Sequence, residues 1–215
     1  VNGFAAGRID SVPTGIDAAR FRPGERAGAR AKLGLPADRT LVGIVATLRS
    51  WKGHRFLLDA MQFLPESMDL AIVGDGPQRE ALAQQIDRLA LRARVRMPGN
   101  QADVLPWLHA FDVFVLPSYA NEGVPQALVQ AMLCGLPCVT TLIGSIAELA
   151  RDEATALVVP PQDARALAKA IVRLAQDAGL RRDLGEAARK HCVERFSYER
   201  MLDRMEAIYH DVTRE

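Results

Sequence analysis

Six short runs of this chain are mostly apolar on both faces: residues 41–47, 70–73, 95–97, 113–116, 138–140 and 156–159. They are rich in Val and Ile, and most lack the in–out alternation of a half-exposed strand. That pattern suits parallel strands covered on both sides. Helical stretches separate them, near residues 54–62, 78–91, 103–110, 125–134 and 146–150. The alternation predicts an α/β fold: a doubly wound, Rossmann-like parallel sheet of about six strands, with helices on both faces and a helical C-terminal end. The residues ahead of the first run read as irregular. A chain of 215 residues suffices for one large domain or two small ones.

Helices dominate the end of the chain. Asp163 and Ser197 are suitable N-caps. Tyr198, Met201, Leu202, Met205, Ile208, Tyr209 and Val212 form one apolar stripe at helical spacing. The stripe is expected to pack on the domain's own core; in a piece of a longer protein, part of it would cover a missing domain.

Composition narrows the function classes. Apolar residues make up 49% and charged residues 25%, and the formal net charge is +1, so nothing favours nucleic acid or an anionic membrane as partner. No uninterrupted apolar run reaches transmembrane length. Cys134, Cys138 and Cys192 are odd in number and lack zinc-type spacing, which predicts three buried free thiols. The start, Val1-Asn2-Gly3-Phe4-Ala5, resembles neither a signal peptide nor an initiating methionine, so the chain is expected to be a piece of a longer protein.

The segment from Glu122 to Met132 is unusual. From Gln126 onward, Ala127, Leu128, Val129, Ala131, Met132 and Leu133 cover most of a helix's circumference. Only Gln126 and Gln130 are polar, and at i,i+4 they share one ridge. A helix this apolar is buried, and buried amides need partners. A bound ligand is the simplest partner.

Ligands of open α/β sheets bind outside the carboxyl ends of the strands. The relevant loops are therefore 47–53, 74–77, 98–103, 117–125 and 141–145. Arg49 and Lys52 in the first can neutralise a diphosphate, Arg as a planar fork and Lys as a point charge; alone they would read as solvated surface charges. Gly74-Asp75-Gly76-Pro77 allows a tight turn and close backbone approach, but G-x-G-x-x-G is not completed, so a plain strand-to-helix turn explains it equally well. Pro125 suits a first helical turn, whose free amides favour an anion. Glu122, just before it, can accept hydrogen bonds from sugar hydroxyls; it would also stabilise the helix start by about 0.3–1 kcal/mol. D-x-D, G-K-S/T and G-x-S-x-G are absent, and His54, His109, His191 and His210 show no metal-ligand grouping. His54 reads as a surface residue at a helix start.

Together these residues resemble the C-terminal, donor-binding domain of a GT-B glycosyltransferase, closest to glycosyltransferase family 4. Val12-Pro13-Thr14-Gly15-Ile16-Asp17 with Arg20-Phe21 is similar to the family's entry into this domain. The Lys52-Gly53 loop, Ile72 to Pro77, Met97-Pro98-Gly99-Asn100, Val115 to Ser118, Ala147-Glu148-Leu149, Leu157 to Pro161 and Phe196-Ser197 follow in the family's order. Each motif is modest. Their joint order over about 200 residues is specific.

The resemblance implies a nucleotide-diphosphate-sugar donor, a UDP- or GDP-sugar, transferred with retention and with no required cofactor or metal. It implies that Lys52 binds the diphosphate, that Glu122 meets the sugar, and that the amides of Gly123, Val124 and Gln126, around Pro125, lie beside sugar and phosphate. Gly76 belongs to the second glycine loop, the stretch around Gly99 and Asn100 would contact the base, and the position of Gln130 the ribose. Two departures stand out. Gln130 replaces the second glutamate of the family's E-x7-E pattern, and Thr47 replaces its usual arginine, leaving Arg49 displaced by two positions. Catalysis would be electrostatic, with Arg49, Lys52 and the helix start stabilising the departing diphosphate and Glu122 orienting the sugar. The resemblance implies a further, N-terminal acceptor-binding domain in a longer protein, so the piece alone is expected to be inactive. The acceptor would be a glycan or lipid-linked, and the location the cytoplasm, free or peripheral at the inner face of the membrane. A non-catalytic nucleotide- or sugar-binding module, a GT-B-fold nucleotide-sugar epimerase and a purely structural interaction domain remain as alternatives.

Overall fold

A computed structural model describes residues 10–213, so the reading of the first five residues lies outside the described part. Six parallel strands form one sheet: β1 (Thr40–Val45), β2 (Met68–Val73), β3 (Val95–Gly99), β4 (Val113–Leu116), β5 (Cys138–Thr140) and β6 (Leu157–Val158). Their spatial order is β3-β2-β1-β4-β5-β6. The expected doubly wound α/β fold is therefore present. The order reverses between β1 and β4, where two successive connections leave the sheet in opposite directions.

The helices are α1 (Arg26–Leu33), α2 (His54–Ala60), α3 (Arg79–Arg88), α4 (Leu105–Ala110), α5 (Gln126–Leu133), α6 (Ile146–Leu149), α7 (Ala164–Gln176), α8 (Ala178–Phe196) and α9 (Tyr198–Thr213). Helix α2 packs with α3 and α7, α1 with α4, and α8 with α5 and α6. Right-handed crossovers put α2 and α3 on one face of the sheet and α4 and α5 on the other.

Burial on both faces explains the strand composition. Val42, Ile44, Leu70, Ile72, Phe114 and Leu116 are all essentially inaccessible. Gly43 interrupts β1 for a steric reason: a Cβ there would fall 2.2 Å from the Phe111 ring. Strand β1 ends at Val45, two residues before expectation, because the backbone turns at once: Leu48 N donates to Asp75 O and Arg49 N to Thr47 O. Strand β3 runs two residues longer than expected, through Pro98. The register against β2 shifts between Ala71 and Val73, and Gly74 N then donates to Gly99 O.

Three expectations are corrected. The start of the chain is not wholly irregular, since α1 forms at Arg26. Glu25 caps it by accepting from Ala27 N and Gly28 N, and left-handed Gly34 ends it. His54 is not at the surface; it is buried, with 2% exposure. The α9 stripe does not pack on the core. No α9 residue is buried, and Tyr209 and Val212 are 66% and 69% exposed. The reason lies at Ser197, which is extended and pinned by a bridge to Ile16, so α9 leaves α8 there and contacts little beyond the junction. The three cysteines are buried and free, as expected. Asp163 and Ser197 both cap, accepting from Ala166 N and Arg200 N.

Candidate functional site

A cavity of about 460 Å³ opens at the carboxyl ends of β1 and β2 and is walled by the loop after β3 and by α5, the helix that follows β4. Thr47, Asn100, Gln126 and Gln130 all line it. Helix α5 therefore presents its one polar ridge to the cavity while Leu128, Val129, Ala131, Met132 and Leu133 are buried in the core. The cavity also draws on Asp75 of the second glycine loop and on Gln101 and Val104, which no motif marks.

Lys52 and Glu122 meet. The Lys52 ammonium lies 2.7 Å from Oε1 and 2.9 Å from Oε2 of Glu122. The carboxylate is 4% exposed and the ammonium-bearing side chain 19%. Ser118 Oγ donates a further hydrogen bond to Glu122 Oε1. Ser118 is fully buried at the end of β4 and was readable only as part of a motif.

Backbone geometry makes this meeting possible. Gly53 is left-handed, with φ +77°, and a Cβ there would fall 2.0 Å from the Pro117 carbonyl oxygen. Tyr119 N donates to Trp51 O, tying the same two loops together. On the far side, Glu122 O accepts from Ser145 N, and a Cβ on Gly144 would fall 2.0 Å from that oxygen. Asn121 takes the left-handed conformation at φ +54°, which Asn tolerates better than most residues.

Pro125 caps α5 from an extended conformation, and its carbonyl accepts from Leu128 N and Val129 N. Among the described residues, the amides of Gly123, Val124, Gln126 and Ala127 donate to no protein group. Free amides at a helix start attract an anion. A Cβ on Gly123 would meet nothing within 4 Å.

The other expected residues are placed differently. Arg49 is exposed and lies over the Trp51 ring, 5.7 Å from its centroid. Gly76 is required by the protein itself, since a Cβ there would fall 2.8 Å from Leu48 N. Gly99 is left-handed at φ +81° and closes β3 ahead of Asn100. His54 lies behind the Lys52 loop with neither ring nitrogen hydrogen-bonded. Burial lowers its pKa from 6.5 to about 4; the Arg49 backbone acts in the opposite direction from outside hydrogen-bond geometry, and the Lys52 charge lowers it further. Among the described residues, no three His, Cys, Asp or Glu side chains gather as a metal ion would need.

The family model for "Glycosyl transferases group 1" matches residues 39–177, which include every strand of the sheet. The chain belongs to the group 1 glycosyl transferases. This group 1 chain is 34% identical to a D-inositol 3-phosphate glycosyltransferase of Mycobacterium bovis, over 97% of the chain and 45% of that protein. It is 30% identical to that of Saccharomonospora viridis, over 94% of the chain and 50% of the relative. The chain thus spans about half the length of the curated relatives it matches. The solved structure of Anabaena Alr3699/HepE in complex with UDP and glucose superposes with a TM-score of 0.90 at 26% identity, over 97% of this chain and 58% of that one. Sucrose-phosphate synthase of Thermosynechococcus elongatus superposes with a TM-score of 0.85 at 33% identity, over 94% and 52%.

Proposed function

We propose that residues 1–215 form the donor-binding domain of a GT-B, family 4 glycosyltransferase, which transfers a sugar from a nucleotide diphosphate to an acceptor with retention and without a required metal. The observation that carries the reading is the partly buried Lys52–Glu122 pair, together with the free amides at the start of α5 and the cavity that α5 walls with Gln126 and Gln130. Lys52 and those amides would hold the diphosphate, and Glu122 the sugar hydroxyls. Asn100 and Gln130, on the cavity wall, would face the nucleoside. The HepE structure, which holds UDP and glucose, supports a UDP-sugar as donor.

As the bond from the sugar to the diphosphate breaks, negative charge gathers on the departing oxygen. Lys52 and the α5 amides are oriented donors at that charge before the reaction begins, which is where electrostatic stabilisation is largest. Glu122 would fix the sugar's orientation. Arg49, which lies over the Trp51 ring in the same loop as Lys52, would add a second cation. The acceptor site would belong to another domain of a longer protein. The length of the relatives supports this, as does the exposed α9 stripe, which such a domain would cover. The piece alone would then bind donor without turnover, in a protein of the cytoplasm or of the inner membrane face. Among the described residues no helix is long and apolar enough to cross a membrane.

Calorimetry with UDP-, GDP- and ADP-glucose tests the reading. Binding of at least one is expected, with loss of about tenfold or more for Lys52→Ala, since removing a charged hydrogen-bond partner costs about 1.5–3 kcal/mol. No binding of any of the three would sink it.

A further inference from the structure

Two residues assigned to different parts of the same ligand are each other's partners in the structure. Lys52 Nζ lies 2.7 and 2.9 Å from the two oxygens of Glu122, and the carboxylate is 4% exposed. The carboxylate cannot swing away freely. Ser118 Oγ donates to Oε1, Ser145 N donates to the Glu122 carbonyl, and the backbone of Gly144 lies close against that same carbonyl. Lys52 carries the mobile half of the pair, on a flexible stem.

A diphosphate entering this site must share or take the ammonium. It then leaves a nearly buried carboxylate beside its own negative charge. Like charges a few ångströms apart in partly desolvated surroundings repel strongly. What the carboxylate receives in exchange depends on the ligand. A nucleotide sugar brings hydroxyl donors that can replace the ammonium at Glu122. A free nucleoside diphosphate has no sugar beyond its terminal phosphate to bring them there, and that phosphate carries a further charge. The same carboxylate therefore favours one ligand and disfavours the other.

We propose that the Lys52–Glu122 pair, held in place by Ser118, is a charge lock that makes this site prefer a nucleotide sugar over the free nucleoside diphosphate. The inference rests on the donor-site reading and adds the residue that sets discrimination between substrate and product. In a transferase the consequence is product release: once the sugar has left, Glu122 reclaims Lys52 and the diphosphate is displaced. Ser118 is a positioning residue in this scheme, acting through Glu122.

The test uses UDP and UDP-glucose as probes in parallel titrations of the wild type, Glu122→Gln and Ser118→Ala, with thermal unfolding of each variant as a check of folding. The Gln side chain keeps the shape and an acceptor for Ser118 but removes the charge. UDP is expected to bind Glu122→Gln about tenfold more tightly than the wild type, and UDP-glucose no more tightly or several-fold more weakly. Ser118→Ala is expected to shift the ratio of the two affinities the same way, by about threefold. A purely structural role would weaken both ligands together and leave the ratio unchanged. If the wild type binds both probes and Glu122→Gln leaves the ratio where it was, the lock is wrong while the donor site stands. If the wild type binds neither, the donor site for a uridine nucleotide fails and the lock fails with it.

Discussion

A Cβ placed on Gly53 would sit 2.0 Å from the carbonyl oxygen of Pro117. These two residues belong to loops after β1 and after β4, so their contact spans the point where the sheet order reverses. It is the backbone approach that lets Lys52 reach Glu122. Gly53→Ala would meet both the clash and the left-handed φ of +77°, a conformation that alone costs an L-residue about 1–2 kcal/mol. The expected outcome is a loss of stability of about 2 kcal/mol or more, together with weaker nucleotide-sugar binding. Urea unfolding followed by titration checks it. An Ala variant as stable as the wild type would mean the loops separate without cost.

The buried imidazole of His54 makes stability depend on pH in a defined window. In the unfolded chain it takes up a proton near pH 6.5, but in the folded chain only near 4, because burial disfavours the charged form. As pH falls the unfolded state therefore binds the proton first. The stability is fully present above about pH 6.5 and is lost progressively down to about pH 4, to an extent of about 3 kcal/mol. His54→Leu removes the titrating group and two unpartnered nitrogens. Its unfolding midpoint is expected to equal or exceed the wild type's at pH 7, with a flatter profile from 6.5 to 4. Parallel acid profiles of the two proteins would show no such flattening if carboxylates dominate.

Much of this was legible in the chain, for reasons particular residues make plain. A run apolar on both faces, such as Leu70 to Val73 of β2 with every residue buried, fits only a strand covered on both sides. The Gln126–Gln130 ridge was visible because everything around it on α5 is apolar. Helix α1 was missed because it buries only Ala29 and Arg30; its ends, Glu25 and Gly34, define it better than its face does. The stripe on α9 looks the same whether its partner is this core or something else, so periodicity alone could not place it. His54 turns inward because Gly53 before it is left-handed, a conformation that sequence permits without requiring. The Lys52–Glu122 pair joins residues 70 positions apart and depends on close approaches at Gly53 and Gly144, which no local pattern records.

Arg30 and Asp112 show what anchors α1 at the opposite end of the sheet. The Arg30 guanidinium is 2% exposed and gives hydrogen bonds to the carbonyls of Ala110, Pro36, Ala37 and Arg39 as well as to Asp112 Oδ2 at 2.6 Å. Asp112 also accepts from Leu41 N at 2.7 Å, linking the pair to β1. Asp112→Ala would leave a buried cation without its counter-charge, which costs about 3–5 kcal/mol. Replacing it should lower the urea midpoint accordingly while leaving relative nucleotide affinities unchanged in whatever fraction folds. A loss below 1 kcal/mol would show that the four carbonyls satisfy Arg30 by themselves.

Gly123 separates ligand contact from protein packing. A Cβ there meets nothing within 4 Å, and its φ is not left-handed, so the fold itself does not demand glycine. Gly123→Ala is expected to change stability by no more than about 0.5 kcal/mol. If a sugar or phosphate lies against the backbone here, the added methyl will weaken UDP-glucose binding several-fold. Unchanged affinity and unchanged stability together would place the ligand elsewhere along the loop.

Gln130 offers a contrast with Glu122 that a single pair of ligands can read. It lines the cavity from α5, one turn beyond Gln126, where the resemblance puts the ribose. An amide accepts through its oxygen only, whereas a carboxylate can accept from both ribose hydroxyls. Gln130→Glu adds that second acceptor, in a cavity that already holds Asp75. Because the ribose is common to UDP and UDP-glucose, the substitution should move both affinities equally, and upward by about three- to tenfold if each gained hydrogen bond contributes about 1 kcal/mol. Glu122→Gln should instead drive the two apart. Equal losses with Gln130→Glu would show that the amide donates to its ligand, so that the cavity is built for a nucleoside presenting an acceptor at this point. A change in the ratio of the two affinities would move Gln130 from the nucleoside to the sugar end of the site.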